Sequence, residues 1–228
     1  MRARQRFLKA KSFGATASYD ARLISGLSDA AAVSSWADQS GNGYTASQAT
    51  AANQPSYRVA VFGGQPAVRF DGSDDVLTHT ADNTASCMIF AVAQTRSVQS
   101  GYRGICAFGP DTPAGTMLLS MVNGGNWGTF VAAASPVPAN TSVSTLTPTI
   151  FQMVDNDTTG EFYRNEVADG TWTGQTLGQS TKHIGGLSSA SQFAHIDLGA
   201  LWLTPSGSAA YRKRIARGLA LSFKIACS

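Results

Sequence analysis

The sequence predicts an all-β fold, a sandwich of two antiparallel sheets followed by one helix, and three observations carry that prediction. Only 14% of the residues are charged, too few for the salt-bridged faces of a helical protein. Gly, Ser, Thr, Ala and Asn fill the chain instead and recur as turn residues between short apolar runs. Helical periodicity is convincing only near the chain's end. A length of 228 residues suits one large sandwich. No internal repeat and no long linker divides it.

Strands are expected over 67–70, 76–78, 88–95, 104–108, 117–122, 128–133, 150–156, 161–167 and 196–203. Val68 and Phe70 alternate with Arg69 and Asp71 before the chain turns at Gly72, the pattern of a half-buried strand. Ser40-Gly-Asn-Gly43 tolerates positive φ and reads as a tight loop. The run from Met88 to Ala93 is apolar on both faces, so it should be covered from both sides. Over 207–225, Tyr211, Ile215, Leu219 and Phe223 recur every four residues, and Ser206 or Ser208 supplies a cap. Arg212, Lys213, Arg214 and Arg217 flank that stripe and read as a solvated basic face. Trp36 and Trp202 are expected in the core.

Trp36-Ala-Asp-Gln-Ser-Gly-Asn-Gly43, followed by Pro66-Ala-Val-Arg-Phe-Asp-Gly-Ser-Asp-Asp75, resembles the paired signature of the laminin-G-like (concanavalin A-like) jelly-roll domains of bacterial and phage surface proteins. Tyr19-Asp-Ala21 is similar to that family's opening element. Gln48-Ala-Thr and Gln54-Pro-Ser-Tyr57 resemble the link between the two halves, and the run from Met88 to Gln94 its long central strand. Phe162-Tyr-Arg-Asn165 resembles a family hairpin in which Glu166 replaces the usual glycine, and Leu201 stands where a glutamate is common. The resemblance runs from Tyr19 to Phe223. It implies a concanavalin A-like jelly roll over 19–228, preceded by a basic arm over 1–18. In function it implies glycan binding and adhesion, with glycan-cleaving enzymes a minority branch.

Charge is unevenly spread. Ten of the 17 basic residues lie in 1–11 and 205–228, while the part between carries seven basic against all fourteen acidic residues. Arg2, Arg4, Arg6, Phe7, Lys9 and Lys11 therefore form a candidate assembly contact, a basic arm laid on the acidic body of a neighbouring copy or another protein. Nucleic acid ranks behind that partner, and a solvated tail is the plain alternative. Lys9 and Lys11 interrupt any signal-peptide core after Phe7-Leu8. Nothing approaches the ~18 apolar residues of a membrane span. Cys87, Cys106 and Cys227 show no metal-ligand spacing; the first two read as buried thiols, with a Cys87–Cys106 bridge as the alternative. Synthesis in the cytoplasm without a signal peptide, followed by display on a virion or extracellular surface, is the expected route.

Catalytic patterns are thin. Asp155 and Asp157 alternate, but Val154-Asp-Asn-Asp-Thr-Thr-Gly160 reads as a hairpin loop, not the paired carboxylates of a retaining glycosidase. There is no Gly-x-Ser-x-Gly, and nothing in the sequence joins His79, His195, Tyr163 and Arg164 into a lyase site. Asp71, Asp74 and Asp75 cluster carboxylates as calcium prefers, with Asp38 and Asn42 as partners, but a turn of backbone-bonding aspartates is the leading explanation and calcium the minority one. No other cofactor is expected. Sugars stack on aromatic rings and pair with amides and carboxylates. Trp127 with Asn123 and Asn126, and Trp172 with Asp169, both flanked by glycines, are the glycan-binding candidates, unless the two rings only cover the sandwich edge. The expectation is a non-catalytic lectin-like module that binds a glycan or cell-surface polysaccharide, with a purely structural role and a hydrolase or lyase as alternatives.

Overall fold

The computed structural model of the chain describes residues 10–81, 86–101, 103–108, 117–122, 125–129, 137–156, 158–173, 182–186 and 192–227. The strands, in chain order, are β1 (Ala17–Asp20), β2 (Ser35–Trp36), β3 (Ala46–Ser47), β4 (Ser56–Phe62), β5 (Gln65–Asp71), β6 (Leu77–His79), β7 (Ser86–Thr95) and β8 (Arg103–Phe108). They continue with β9 (Met117–Val122), β10 (Asn126–Thr129), β11 (Val137–Ser142), β12 (Thr149–Asn156), β13 (Thr159–Arg164), β14 (Val167–Thr173), β15 (Lys182–Ile184) and β16 (His195–Pro205). One helix, α1 (Ala209–Phe223), follows. The result is the expected all-β, two-sheet antiparallel jelly-roll sandwich.

One sheet runs β14, β13, β12, β7, β16, β5, β4; the other runs β11, β10, β9, β8, β15, β6, β3, β2. The long β16 serves two partners in succession. Its first part, His195 to Leu198, pairs with β5, and Ala200 to Leu203 pair with β1. The register slips between Leu198 and Ala200, and a Cβ on Gly199 would meet the Phe223 ring at 2.6 Å, so glycine lets the bulge close under the helix.

Between the sheets lies the main core, with Trp36, Phe70, Leu77, Trp127, Phe151, Phe162, Ile184 and Leu198 buried together. Alternate residues of the central strands turn the other way. Met88, Phe90, Val92, Ala200 and Trp202 pack on the outer face of the first sheet, against Ile215, Leu219 and Phe223 of α1. That double covering is why β7 is apolar along its whole length. Trp36 and Trp202 are both core residues, as expected.

Four expectations need correction. The span 161–167 is not one strand: the chain reverses at Asn165 and Glu166, whose φ of 48° and 74° make the turn between β13 and β14. Asp155 belongs to β12 rather than to a loop; it sits opposite Cys87 and Gly160 and is buried, while Asp157 lies outside the described residues. The arm is shorter than 1–18. Ala10 and Ala15 are buried, Phe13 packs edge-on against Trp202 with ring centroids 5.9 Å apart, and β1 begins at Ala17. Arg212 is not solvated: it is buried, donates to Gln152 Oε1 at 2.6 Å and lies 3.5 Å from the centre of the Tyr163 ring. Burial holds its guanidinium below the ordinary arginine range. The helix itself is capped by Ser208, whose Oγ accepts from the Tyr211 amide at 3.2 Å. Cys87 and Cys106 are buried in opposite sheets and form no disulfide.

Candidate functional site

The β13–β14 turn, the end of β11, the start of β12 and the tail after α1 converge on a cleft of about 520 Å³, within the range of small-ligand sites. Thr141, Thr147, Thr149, Arg164, Asn165, Val167, Ala168 and Asp169 line it, and Ala226 and Cys227 contribute from the tail. Backbone strain gathers here. Of the five described non-glycine residues with positive φ, Asn165 lines the cleft, while Leu146 (φ 55°) and Glu166 (φ 74°) adjoin lining residues in sequence. A leucine in that region is costly and persists only where the surroundings over-determine it. Glu166 is held by Arg217, whose Nε lies 3.1 Å from both carboxylate oxygens.

Asp169 is the best-anchored polar group of the site. The buried Trp127 indole donates from Nε1 to Asp169 Oδ2 at 2.7 Å, and the Thr141 hydroxyl donates to Oδ1. Each oxygen keeps a further lone pair for a ligand hydroxyl. Thr149 Oγ1 donates to the Thr147 carbonyl and Thr147 Oγ1 to that of Thr145. Asn165 Oδ1 accepts from the Ile150 amide at 2.8 Å, which fixes its side chain with the NH₂ group left as donor. Val167, 55% exposed, offers an aliphatic surface at the mouth.

Of the glycan-binding candidates, only Asp169 stands in the cleft lining. The rings of Trp127 and Trp172 are not available for stacking. Trp127 is 0% exposed, wedged between Phe151 and Phe162 with centroids 5.0 and 4.9 Å away. Trp172 is buried against Phe162 and over Gly160, where any Cβ would strike its ring. Flanking glycines make room for buried rings here, not for a sugar. Asn126 is half-buried and donates to the Ala139 carbonyl, tying β10 to β11; Asn123 lies outside the described residues. Sequence reasoning missed the three threonines, which belong to a polar stretch with no motif. Asn165 was visible only as part of a hairpin, and Arg164 as part of that hairpin and of a lyase set that the structure disperses.

The other candidates stand apart from the cleft. Carboxylate oxygens of Asp71, Asp74 and Asp75 lie within 4.8 Å of one another, close enough to share a hard cation. Much of that oxygen already serves the turn: Asp71 Oδ1 accepts from the Ser73 and Asp74 amides, and Asp75 Oδ2 from the Asp71 amide. Burial, with the charges of Asp71 and Asp74, pushes the Asp75 carboxyl up to about 6. Asp38 does not join them, because its carboxylate takes bonds from the Ser18, Ser40 and Tyr44 amides, and Asn42 donates to the Ala15 and Thr16 carbonyls. Of the arm, Arg2, Arg4, Arg6, Phe7 and Lys9 lie outside the described residues, and Lys11 is exposed. The lyase candidates are dispersed. His79 is buried beside Tyr19, Tyr163 lies under α1 bonded to Glu161, and Arg164 lines the cleft.

His195 belongs to a separate polar cluster on the outer face of the first sheet. Its centre is Asp197, fully buried and engaged by Arg69 Nε at 2.6 Å, Gln94 Nε2 at 2.9 Å and Arg96 Nη1 at 3.3 Å. Arg96 Nε donates to His195 Nε2 at 3.2 Å, and Ser97 Oγ lies 2.8 Å from Nδ1. A neutral ring that accepts at Nε2 carries its proton on Nδ1 and donates it to the serine. That polarity is the reverse of what activates a serine nucleophile. Burial, then the charge of Arg96, lowers the His195 pKa, so the ring stays neutral. The cluster ties β5, β7 and β16 together.

No protein-family model matches the sequence, and no curated protein matches it either. Solved structures do match. The sialidase of Trypanosoma rangeli aligns over 93% of this chain and 33% of its own, with a TM-score of 0.65 and 14% identity. Domain 4 of AbnA, an extracellular arabinanase from Geobacillus stearothermophilus seen in complex with arabinotriose, aligns over 89% of this chain and 98% of that domain (TM-score 0.65, 12% identity). The binding domain of botulinum neurotoxin serotype D aligns over 93% of this chain and 53% of its own (TM-score 0.64, 9% identity). The chain thus spans about a third of the sialidase it resembles. At such identities the shared property is the fold, a β-sandwich of the kind these glycan-related proteins contain.

Proposed function

We propose that this chain is a non-catalytic, lectin-like β-sandwich module of the laminin-G-like type that binds a glycan in the cleft beside the β13–β14 turn. The observation that carries the reading is the cleft itself: a ligand-sized cavity where hydroxyls, an amide, a guanidinium and one anchored carboxylate stand beside the apolar Val167, Ala168, Ala226 and Cys227, with strained backbone next to it. That inventory suits sugar hydroxyls. Two of the matching structures hold sugars, a sialidase in complex with sialic acid and an arabinanase domain in complex with arabinotriose, which supports a sugar as the ligand class. Retaining hydrolysis by paired carboxylates would need a second acid about 5–5.5 Å from the first, and Asp169 is the sole acid among the described lining residues, which supports binding without cleavage. The uneven charge supports display on a virion or comparable assembly, with the basic arm laid on acidic surfaces of neighbouring subunits.

A glycan array probed with the chain and with Ala168→Trp tests the reading. Ala168 is exposed and lines the cleft, so a bulky ring there fills the cavity without disturbing the core. Array hits lost in the variant, with an unchanged melting temperature, are expected. Hits retained in full by Ala168→Trp would move the site elsewhere.

A further inference from the structure

The cleft holds both committed acceptors and an uncommitted guanidinium, and that combination names a ligand class; the inference rests on the glycan reading above. The hydroxyls of Thr141, Thr147 and Thr149 in the lining all donate within the protein, to Asp169 Oδ1 and to the Thr145 and Thr147 carbonyls. What they present to a ligand is therefore lone pairs, as does Asp169. These groups accept and do not donate. Two other lining residues are the reverse. Asn165 Oδ1 is occupied by the Ile150 amide, leaving NH₂. Arg164 makes a single hydrogen bond, Nη1 to the Ser142 carbonyl at 3.3 Å, and has no carboxylate partner among the described residues. Arg22, Arg58, Arg69, Arg96 and Arg217, by contrast, each pair with an aspartate or glutamate. The hairpin's own acid, Glu166, is committed to Arg217.

A guanidinium with four of its five N–H groups unused, sharing one cleft with an amide donor and a set of acceptors, fits a ligand that carries both a carboxylate and hydroxyls. We infer that the cleft takes a carboxylated sugar, a uronic- or sialic-type acid. Its carboxylate is bound in bidentate fashion by Arg164, and its ring hydroxyls donate to Asp169 and the threonines. Planar fork-to-carboxylate pairing is the geometry for which arginine is suited and lysine is not.

The test is a paired array of uronate-containing and sialylated oligosaccharides beside their methyl esters, probed with the wild-type chain, Arg164→Gln and Arg164→Lys. The acids are expected to bind roughly tenfold or more tightly than the esters. Arg164→Gln should abolish that preference, and Arg164→Lys should restore only part of it. Arg164 is half-buried with one backbone contact, so melting temperatures should stay level and report on folding separately. Acids and esters bound equally, or hits confined to neutral sugars, would overturn the acidic class while leaving the glycan reading in place. An array blank for acidic and neutral sugars alike would overturn both.

Discussion

Trp127→Phe should both destabilise the fold and disarm the cleft, because Trp127 acts through its N–H rather than its ring face. The indole is fully buried and donates to Asp169 Oδ2 at 2.7 Å. A hydrogen bond to a charged group is worth about 1.5–3 kcal/mol, and its loss leaves a buried carboxylate oxygen short of a partner. The smaller ring adds about 1 kcal/mol for imperfect filling between Phe151 and Phe162. A total near ~3 kcal/mol corresponds to a fall of about 6–12 °C in melting temperature for a domain of this size. Denaturant unfolding of Trp127→Phe, Asp169→Ala and the double variant would isolate the contact, with a coupling energy of about 1.5 kcal/mol or more expected. Sugar binding should weaken in Trp127→Phe even where the protein is fully folded, since Asp169 loses one of its two anchors. Additive single effects, or a melting temperature unmoved by Trp127→Phe, would refute the reasoning and return Trp127 to an exposed role.

Asp75 sets a pH dependence. Burial raises its carboxyl from 3.8 to about 6, so between those values the folded chain holds a proton that the unfolded chain has released. Stability should fall as pH rises from about 4 to about 6 and then level off; melting curves across that window should lose this component in Asp75→Asn. Glu166→Gly should leave the fold equally or slightly more stable by thermal melt. Relief at φ 74° is worth about 1 kcal/mol and offsets loss of the Arg217 pair, an exposed guanidinium on a largely buried carboxylate, itself worth about 1 kcal/mol. A loss above that value would mean the ion pair dominates. Deleting residues 1–9 should leave melting unchanged but weaken association measured by ultracentrifugation, and the difference from the full chain should shrink as salt rises, because exposed charges are screened within roughly 8–10 Å. Deletion through residue 15 should also lower the melting temperature, since it removes Phe13 from Trp202 and Tyr211.

Most of the fold was legible because burial on two faces leaves a periodic trace. The apolar run of β7, the alternation of β5 and the four-residue stripe of α1 each state which neighbours they require. Very short strands such as β2, β3 and β15 carried no such trace, being fixed by their partners rather than by their own pattern. The site was legible only in part. Glycine-flanked tryptophans look alike whether glycine exposes a ring or makes space to bury one, and Gly160 beneath Trp172 does the latter. Asp169 was found for a reason that did not hold, as the companion of a stacking ring, and proved to be the carboxylate that Trp127 positions. Arg212 misled because helical phase alone placed it on a flank, while Gln152 and Tyr163 on the sheet below supply the partners that let a guanidinium be buried.

The central claim, that a sugar occupies the cleft beside the β13–β14 turn, is tested most directly by an amide chemical-shift titration of the labelled chain with its best array ligand. Saturable shifts at Arg164, Asn165, Val167, Ala168, Asp169 and Thr147, with Asp71 to Asp75 and the Arg69–Asp197 cluster unmoved, are the predicted result. Shifts centred on either of those other clusters, with the cleft residues silent, would contradict the account.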